Sequence, residues 1–564
     1  MRTGLAAIAA WALTSILTIA AGQARAEQFA FRITLRDKAG SPTVSQASQF
    51  LSARSLARRA AFGIAVDESD RPVSQAYIDT VLNLTGGILH LRSRWLNEIV
   101  VFTDDSSDIL AIAGKPWVTG TIYIAYYPFD LHHRTAAGKQ ENTGPYTGTF
   151  KTSGSAAYYG AAWDQTQLVK GDYLHDLGHK GTGKLIAVLD AGFFGADTHT
   201  GLATLFSEGR LLDTYDFVRD TNASVYNFGS HGMQCLSIMA GDLPGTYVGS
   251  APEAQYALYA TEDNGSEQAV EMDNMVAGAE RADSLGADVI NVSLGYNTFG
   301  TVPGTSLTFS QLDGKTTVAA RGANAAARKG ILFVTTAGNE GGNFWNRITT
   351  PGDADSALVL GSVDVNKQIQ PSSGVGPNAA GRVKPDIVAL GMNAAILTGT
   401  INGIATGTGT SYAAPNIAGF AACLMEARPG RTPLQVIDAI NRSADLYTFP
   451  LAQFGYGVPD FSKALASLDI AGGPEIPADG SAFLLSPNPT DGALWLSWQG
   501  ATPGVGWTVT LHDATGRTVW QTALSPLSIA GKHALDTPTD LPIGLYAVRI
   551  AAPGALHTLK LVVR

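Results

Sequence analysis

Cysteine is nearly absent from this sequence. Its 564 residues include only two cysteines, Cys235 and Cys423. This scarcity excludes a fold held by several disulfide bonds and leaves open one bridge between the two. Because no C-x-x-C pair and no Cys/His spacing of the zinc-binding kind occurs, we expect no zinc site. The fold must therefore be stabilised mainly by burial of apolar side chains, which make up 45% of the residues.

Positive charge is also scarce. The chain has 38 Lys and Arg against 48 Asp and Glu, a net charge of −10. Since general nucleic-acid binding needs a basic surface, we expect no nucleic-acid partner. The low share of charged residues, 15%, and the 63 glycines are typical of a loop-rich globular protein, and the length indicates several folding units.

Long apolar runs are confined to the N-terminus. Arg2 precedes an apolar stretch from Leu5 to Ala21, and Ala24-Arg25-Ala26 follows as a small-x-small cleavage pattern. This order predicts a secretory signal peptide over residues 1–26, with an uncleaved anchor as the alternative. No later segment approaches the roughly 18 apolar residues that a membrane-spanning helix needs, so we expect no transmembrane segment in the mature chain.

The rest of the chain divides by pattern. Residues 27–128 alternate short strands with helical stretches, which predicts a small α+β domain. Within it Arg54-Ser55-Leu56-Ala57-Arg58-Arg59 is a basic cluster, interpreted as a solvated helix face, with a processing or docking role as the alternative. Residues 129–154 are rich in Gly, Thr, Ser and Asn and are interpreted as an exposed connector.

Residues 155–470 alternate strands and helices in a way that predicts an α/β fold, a doubly wound parallel sheet with helices on both faces. In such sheets ligands bind beyond the carboxyl ends of the strands. Asp190, the Ser293-Leu294-Gly295 turn and the Ala337-Gly338-Asn339 turn each follow a predicted strand. We therefore expect them to face one cleft. Residues 471–482 are predicted to be a linker, and the alternating strands of residues 483–564 predict a small β-sandwich.

A serine lies among small residues in Gly407-Thr408-Gly409-Thr410-Ser411-Tyr412-Ala413-Ala414-Pro415, ahead of an apolar run from Ile417 to Met425. The run predicts a buried helix that would place Ser411 at its N-terminus, where backbone N–H groups can stabilise an oxyanion. A serine that only caps a helix is the simpler interpretation.

Acyl transfer by serine also needs a base, a carboxylate that orients the base, and oxyanion donors. Asp190 ends the apolar strand Lys184 to Leu189, His231 opens a predicted helix in Gly229-Ser230-His231-Gly232, and Asn339 lies on a glycine-flanked turn. Taken alone, each has a structural explanation as a turn or capping residue. Together they supply one residue for each function.

The order Asp, His, Asn, Ser with these surroundings resembles the subtilisin-like serine peptidases, or subtilases (S8-type). The resemblance implies that Asp190 orients His231, that His231 is general base and then acid, and that Ser411 attacks the peptide bond. It implies that Asn339 and the Ser411 N–H stabilise the oxyanion, and that peptide and protein substrates bind along the following residues: Ser293, Leu294, Gly295, Ala337 and Gly338.

The sequence departs from the family pattern beside these residues. Met233 and Gln234 replace the usual Thr and a frequent later His, and Ala191 replaces a Ser or Thr whose hydroxyl could hold Asp190. Cys235 lies four residues after His231, one helical turn on, so its thiol is expected beneath the imidazole. This thiol near the active site resembles the thiol-containing branch of the family, and a small buried apolar residue is the alternative interpretation.

The flanking regions resemble known companions of subtilases. Residues 27–128 resemble their N-terminal propeptide, which implies an intramolecular inhibitor cut off by autoprocessing within 129–154. Motifs such as Pro487-Asn488-Pro489 and Leu541-Pro542-Ile543-Gly544-Leu545-Tyr546 resemble the C-terminal sorting domain of the type IX secretion system. They imply passage through the periplasm to the cell surface or exterior, with that secretion machinery as a partner. A carbohydrate-binding or adhesive sandwich is the alternative.

The resemblance implies no cofactor for the chemistry. Structural calcium is common in the family, although no acidic spacing here identifies its ligands. Four acidic residues, Glu262, Asp263, Glu267 and Glu271, are candidates for a rim that attracts basic substrates, but for Glu267 and Glu271 a solvated helix face is the preferred interpretation. Two other functions stay open: an inactive surface-binding protein on a peptidase scaffold, and an α/β-hydrolase, whose Gly-x-Ser-x-Gly motif does not fit Ser411.

Overall fold

The structure is a computed structural model that describes residues 27–128, 143–148, 154–300 and 302–469 and most of the strands between 482 and 563. The predicted signal peptide (1–26), the linker (471–482) except Ala482, and most of the connector (129–154) lie outside the described residues. The chain forms two compact units that divide between Ser467 and Leu468. No helix of the described residues is both long and apolar enough to cross a membrane.

The N-terminal domain is a four-stranded antiparallel sheet in the order β2-β3-β1-β4 with helices on it. Its strands are β1 (Gln28–Leu35), β2 (Ile88–Ser93), β3 (Glu98–Thr103) and β4 (Val118–Tyr127). Its helices are α1 (Ala53–Ala61), α2 (Gln75–Thr85) and the short α3 (Leu110–Ala113). This is the small α+β domain that the sequence predicts. Strand β2 was not predicted, whereas the Arg54–Arg59 cluster, interpreted as a helix face, does lie on helix α1.

The central domain is built on a seven-stranded sheet in the order β14-β13-β12-β11-β6-β10-β7, with every neighbouring pair parallel. Its strands are β6 (Leu185–Asp190), β7 (Leu211–Asp216), β10 (Gln255–Ala260), β11 (Val289–Val292), β12 (Leu332–Thr336), β13 (Leu358–Val363) and β14 (Ile387–Leu390). All residues of β6 and β11–β14 are buried. The sheet is therefore covered on both faces, as parallel sheets are.

Helices cover this sheet. They are α4 (Ser155–Tyr159), α5 (Trp163–Leu168), α6 (Asp172–Asp176), α7 (Ala203–Ser207), α8 (His231–Ala240), α9 (Val270–Leu285), α10 (Val318–Arg328), α11 (Thr410–Ala427), α12 (Pro433–Ser443) and α13 (Phe461–Asp469). Helices α8 and α11 pack against each other, and so do α9 and α10. The prediction of a doubly wound α/β fold is confirmed.

Two small sheets accompany the main one. One is the short hairpin β8 (Asp242–Leu243) and β9 (Tyr247–Val248). The other is antiparallel, in the order β15-β16-β5, with β5 (Thr143–Pro145), β15 (Ala394–Leu397) and β16 (Ile404–Gly407). Because β16 ends just before α11, strand β5, a piece of the predicted connector, lies directly beside the chain that leads to Ser411.

The N-terminal domain docks on α9 through buried charges. Arg59 is 1% exposed and its guanidinium contacts Asp283 of α9 at 2.7 Å and Asp70 at 2.9 Å. Arg58 also pairs with Asp283, and both side chains are buried. The interpretation of the basic cluster as a solvated helix face is wrong, because the carboxylates that neutralise it come from a segment more than 200 residues away.

The same interface is apolar around these charges. A single core joins Phe102 and Trp95 of the N-terminal domain to side chains of α9 such as Met275. Glu280 of α9 accepts hydrogen bonds from the backbone N–H groups of Arg94 and Trp95, at 2.8 and 3.0 Å. The N-terminal domain is therefore held both by apolar packing and by charge-assisted hydrogen bonds.

The C-terminal unit is a β-sandwich, as predicted. Its two antiparallel sheets have the orders β17-β18-β21 and β20-β19-β22-β23. The strands are β17 (Ala482–Ser486), β18 (Leu494–Gln499), β19 (Trp507–His512), β20 (Thr518–Leu524), β21 (Ala530–Leu535), β22 (Gly544–Ala552) and β23 (Ala555–Val563). Alternate residues such as Trp507, Val509 and Leu511 are buried between the sheets.

Candidate active site

Asp190 and His231 lie in direct contact. Asp190 is the last residue of β6 and is fully buried, and His231 is the first residue of α8. His231 Nδ1 lies 2.7 Å from Asp190 Oδ1. Because the carboxylate can only accept, the imidazole donates from Nδ1, which leaves Nε2 as the nitrogen able to accept a proton.

Only one of the two Asp190 carboxylate oxygens accepts hydrogen bonds from the described residues. Oδ1 accepts from the Ala191 N–H at 2.7 Å as well as from His231. Oδ2 is buried and has no hydrogen-bond partner among the described residues. A Ser or Thr at position 191 could have offered a hydroxyl, so the effect expected from Ala191 is visible in the structure.

The surroundings of His231 favour the protonated form of its imidazole. Burial disfavours the imidazolium, but the charge of Asp190, its hydrogen bond to the ring and the contribution of Cys235 together outweigh burial, and the pKa of His231 is raised well above its usual value. The ring is nevertheless partly accessible, with 21% of its side-chain surface exposed. A general base at this position would therefore become neutral only at a pH above the usual histidine range.

Ser411 lies in the first turn of α11, which begins at Thr410 after Gly409. The helix starts here because Gly409 has an extended conformation and the small residues after it allow close packing. The Ser411 hydroxyl donates to the Ser293 carbonyl oxygen at 3.1 Å. In the described part of the chain it forms no hydrogen bond with His231, although Cys235 Sγ lies near both residues, 3.9 Å from His231 Nδ1 and 3.4 Å from the Ser411 carbonyl oxygen.

The Asn339 amide is oriented by Thr410. Its Oδ1 accepts from the Thr410 N–H at 2.9 Å and from the Thr410 hydroxyl at 3.0 Å. This arrangement leaves the Asn339 Nδ2 group as a hydrogen-bond donor near the start of α11. A Cβ built on Gly409 would lie 3.4 Å from this nitrogen. The amide assignment follows from this network, since Nδ2 could not accept either bond.

Ser293 contacts Ser411, and Gly295 and Gly338 pack closely together nearby. Ser293 Oγ donates to the Ser411 carbonyl oxygen at 3.0 Å. A Cβ placed on Gly295 would be 3.8 Å from the Gly338 Cα, and a Cβ on either glycine would collide with Thr349 Oγ1. Gly338 also has a φ of 88°, which favours glycine. Leu294 and Ala337 flank these glycines, so all five residues predicted to bind substrate lie together.

Cys235 lies beneath the imidazole, as predicted. It is fully buried, and burial raises the pKa of its thiol to about 11, so the thiol is protonated at neutral pH. Both cysteines are free and buried. The single disulfide bridge that the sequence left open is therefore not formed.

A second group of charged residues lies beyond β10. Glu262, Glu267 and Glu271 each place a carboxylate oxygen within 4.8 Å of the other two. Glu271 is fully buried and Glu262 is 5% exposed, whereas Glu267 is exposed. The interpretation of Glu271 as part of a solvated helix face is wrong, because its carboxylate accepts from the backbone N–H groups of Asp263 and Gln268 at the start of α9.

Sequence reasoning missed three residues that shape the site. Thr410 fixes the Asn339 amide, Thr349 fills the space that the glycines leave, and Asn264 donates to the Ala191 carbonyl oxygen at 2.5 Å. Thr410 could have been found from its position before Ser411. Thr349 and Asn264 carry no local signal, because each reaches the site only through the tertiary fold.

Three family models match the chain. The subtilase family model matches residues 181–457, the model of the peptidase S8 propeptide domain of Bacteroidota matches residues 30–141, and the secretion system C-terminal sorting domain matches residues 485–564. These matches confirm the resemblances of all three regions. They also confirm the predicted export of the chain to the cell surface or exterior.

Characterised proteins show the same similarity. The thermophilic serine proteinase of Bacillus sp. strain AK1 is 31% identical over 291 residues, which are 51% of this chain and 62% of that protein. Subtilisin DY of Bacillus licheniformis is 29% identical over 279 residues, 49% of this chain and 89% of its own length. The crystal structure of MycP1 with the N-terminal propeptide removed matches at 23% identity over 54% of this chain and 96% of that chain, with a TM-score of 0.42.

This chain thus spans less than two thirds of the AK1 proteinase. The subtilase model covers the part of the chain that carries Asp190, His231, Asn339 and Ser411, from residue 181 to residue 457. Over these residues the chain is therefore similar to the subtilase family of serine peptidases.

Proposed function

We propose that this protein is a secreted serine endopeptidase that hydrolyses peptide bonds through an acyl-enzyme, with Asp190, His231 and Ser411 as its catalytic triad. The observation that carries this proposal is the 2.7 Å contact between Asp190 Oδ1 and His231 Nδ1. It leaves Nε2 free to accept a proton, in the part of the fold where Ser411 begins α11.

The first step requires a small movement of Ser411. Rotation about its Cα–Cβ bond takes the hydroxyl from the Ser293 carbonyl towards His231 Nε2, and such contacts often tighten only when substrate is bound. Oγ then forms a bond to the substrate carbonyl carbon while Nε2 takes the hydroxyl proton. Asp190 holds the ring and stabilises the imidazolium.

The oxyanion is stabilised by two donors. Asn339 Nδ2 and the Ser411 N–H, which lies in the first turn of α11, can both donate to the carbonyl oxygen as it becomes negative. Collapse of the intermediate breaks the peptide C–N bond, and His231 returns the proton to the leaving amine. Water, activated by the same imidazole, then hydrolyses the acyl-enzyme. This chemistry uses groups of the chain itself and needs no cofactor.

The substrate backbone pairs with the chain at Ser293–Gly295, a β-augmentation mode of binding. A substrate strand paired along Ser293 competes for the Ser293 carbonyl oxygen. That competition releases the Ser411 hydroxyl to His231.

The protein is made as a precursor. We assign residues 1–26 to a signal peptide, 27–128 to the inhibitory propeptide, 129–154 to the maturation region, 155–470 to the peptidase domain, 471–482 to a linker and 483–564 to the sorting domain. The propeptide is cut by the enzyme itself. The type IX secretion machinery recognises the sorting domain.

The experiment that tests this function is labelling with a fluorophosphonate, which reacts only with an activated serine. The wild-type protein should be labelled, and the Ser411→Ala variant should not. If the wild type is not labelled after removal of the propeptide, the alternative function applies, a surface-binding protein on an inactive subtilase scaffold.

A further inference from the structure

Three carboxylates converge beside the candidate active site without taking part in the chemistry proposed above. Glu262 follows β10, Glu267 lies on the loop after it, and Glu271 lies in the first turn of α9. One oxygen of each lies within 4.8 Å of the others. Like charges this close repel one another when they are shielded from water, so a cation placed among them would be bound favourably.

A tyrosine hydroxyl faces the same point. Tyr296 is 2% exposed, and its hydroxyl has no hydrogen-bond partner of good geometry among the described residues. Burial, followed by the charges of Glu262, Glu271 and Glu267, raises the pKa of Tyr296 well above its usual value. The cluster therefore offers three carboxylates and a neutral hydroxyl oxygen, all of which can accept hydrogen bonds from one cation.

The cluster lies along the path of a bound peptide. Tyr296 directly follows Ser293-Leu294-Gly295, the segment assigned to the substrate backbone. On the other side, Gln268 Nε2 donates to the Tyr126 carbonyl oxygen at the end of β4, at 2.9 Å. Because Tyr126 precedes the maturation region, this side of the site receives residues on the N-terminal side of the scissile bond.

We propose that Glu262, Glu267, Glu271 and Tyr296 form a subsite that selects a Lys or Arg side chain on the N-terminal side of the scissile bond. A guanidinium has five N–H donors in a plane and can bind several carboxylates and a hydroxyl at once. This inference rests on the proposed function and specifies its substrate class.

The test compares peptides that differ at one position on the N-terminal side of the cleaved bond. Activated wild-type enzyme should prefer Arg or Lys to the neutral Gln at one position by about tenfold or more in kcat/KM, the size expected for charged hydrogen bonds. Glu262→Gln and Tyr296→Phe should reduce this ratio. Glu267→Gln should reduce it too and, because Glu267 is exposed, should fold normally. Glu267→Lys should shift the preference towards Glu.

Glu208→Gln is the matched control, because Glu208 is exposed, pairs with Arg210 and lies outside the cluster. It should leave the Arg-to-Gln ratio unchanged. Cleavage with no preference for a basic residue, or an unchanged ratio in Glu262→Gln and Glu267→Gln, overturns this inference and leaves the proposed function intact. Absence of both cleavage and fluorophosphonate labelling refutes the proposed function itself.

Calcium chloride provides a further arm of the test. If calcium raises the Tm of the wild type without any peptide, and Glu267→Gln abolishes that rise while Glu208→Gln does not, the cluster holds a metal ion and the inference is overturned. If calcium changes neither the Tm nor the ratio of kcat/KM values, the basic side chain is the cation that the cluster takes.

Discussion

Ser293 and Ser411 exchange two hydrogen bonds. The Ser293 hydroxyl donates to the Ser411 carbonyl oxygen at 3.0 Å, and the Ser411 hydroxyl donates to the Ser293 carbonyl oxygen at 3.1 Å. The pair joins the end of β11 to the first turn of α11, so the edge proposed to bind substrate and the proposed nucleophile are positioned by each other. It also keeps the Ser411 hydroxyl on the substrate edge while no peptide is bound there.

Ser411→Ala should accumulate the uncut precursor. The variant lacks the nucleophile, whereas the packing around it changes little because the site already contains small residues. In cells or extracts without another protease, the precursor should remain intact between residues 129 and 154, which mass spectrometry of the N-terminus can measure. Normal maturation of the isolated variant would contradict autoprocessing.

Asn339→Ala should leave a weak enzyme. Loss of one oxyanion donor costs about 10²–10³ in kcat in subtilisin, and we expect a loss of the same order here. The KM should change little, because the donor acts mainly in the transition state. Steady-state kinetics on a peptide substrate test this, and an unchanged kcat would exclude the residue from the oxyanion site.

Activity should rise with pH through a pKa above the usual histidine value of about 6.5. The raised pKa of His231 means that the folded protein keeps the proton at a pH where the unfolded chain has lost it. The Asp190–imidazolium pair thus stabilises the fold fully below pH about 6.5, and this contribution is lost as the pH rises through the folded pKa.

Catalysis has the opposite requirement, since only neutral His231 can accept the Ser411 proton. The pH dependence of kcat/KM should therefore show its ascending limb on the alkaline side of pH 6.5. A limb at or below that value would mean that Asp190 does not raise the pKa of the imidazole in the working enzyme.

A mercurial should inactivate the enzyme slowly through Cys235. The sulfur lies 3.9 Å from His231 Nδ1, so a bound mercury atom would displace the imidazole. The reaction should be slow because the thiol is buried and protonated. Cys235→Ser should resist inactivation and Cys423→Ser should not. Equal inactivation of wild type and Cys235→Ser would disprove the mechanism.

Asp283→Asn should destabilise the precursor strongly. Asp283 is fully buried and neutralises Arg58, Arg59 and Arg94, so its loss removes the carboxylate that pairs with Arg58 and leaves Asp70 as the partner of Arg59. Removal of one member of a buried pair costs about 3–5 kcal/mol. Denaturant unfolding of the Ser411→Ala precursor, with and without the second substitution, measures this difference.

The matched control is Asp438→Asn, which removes the exposed partner of Arg442. Exposed pairs of this spacing contribute about 0.3–0.5 kcal/mol, so its free energy of unfolding should hardly change. Equal effects of the two substitutions would show that the buried cluster does not hold the two domains together.

The sequence by itself determined the order of the domains and the identity of the residues at the site. Strand β6 is entirely apolar up to Asp190, and α11 is mostly small or apolar after Ser411, so local pattern was sufficient to predict these elements and the candidate residues at their ends. The glycines around Asn339 and Ser411 also indicated the site from local pattern, because two segments of backbone that approach closely leave no room for a larger residue.

Only the tertiary structure decided which charges are buried. In the sequence, Arg58, Arg59 and Glu271 all resemble residues on solvent-exposed helix faces. A helix in which charged and apolar residues alternate does not reveal which other element packs against its charged face. Their partners, Asp283 for the arginines and the backbone N–H groups of Asp263 and Gln268 for Glu271, are brought there by the packing of α1 and the β10–α9 loop. A charge is buried or exposed according to what the rest of the chain places against it, and that cannot be determined from its neighbours in sequence.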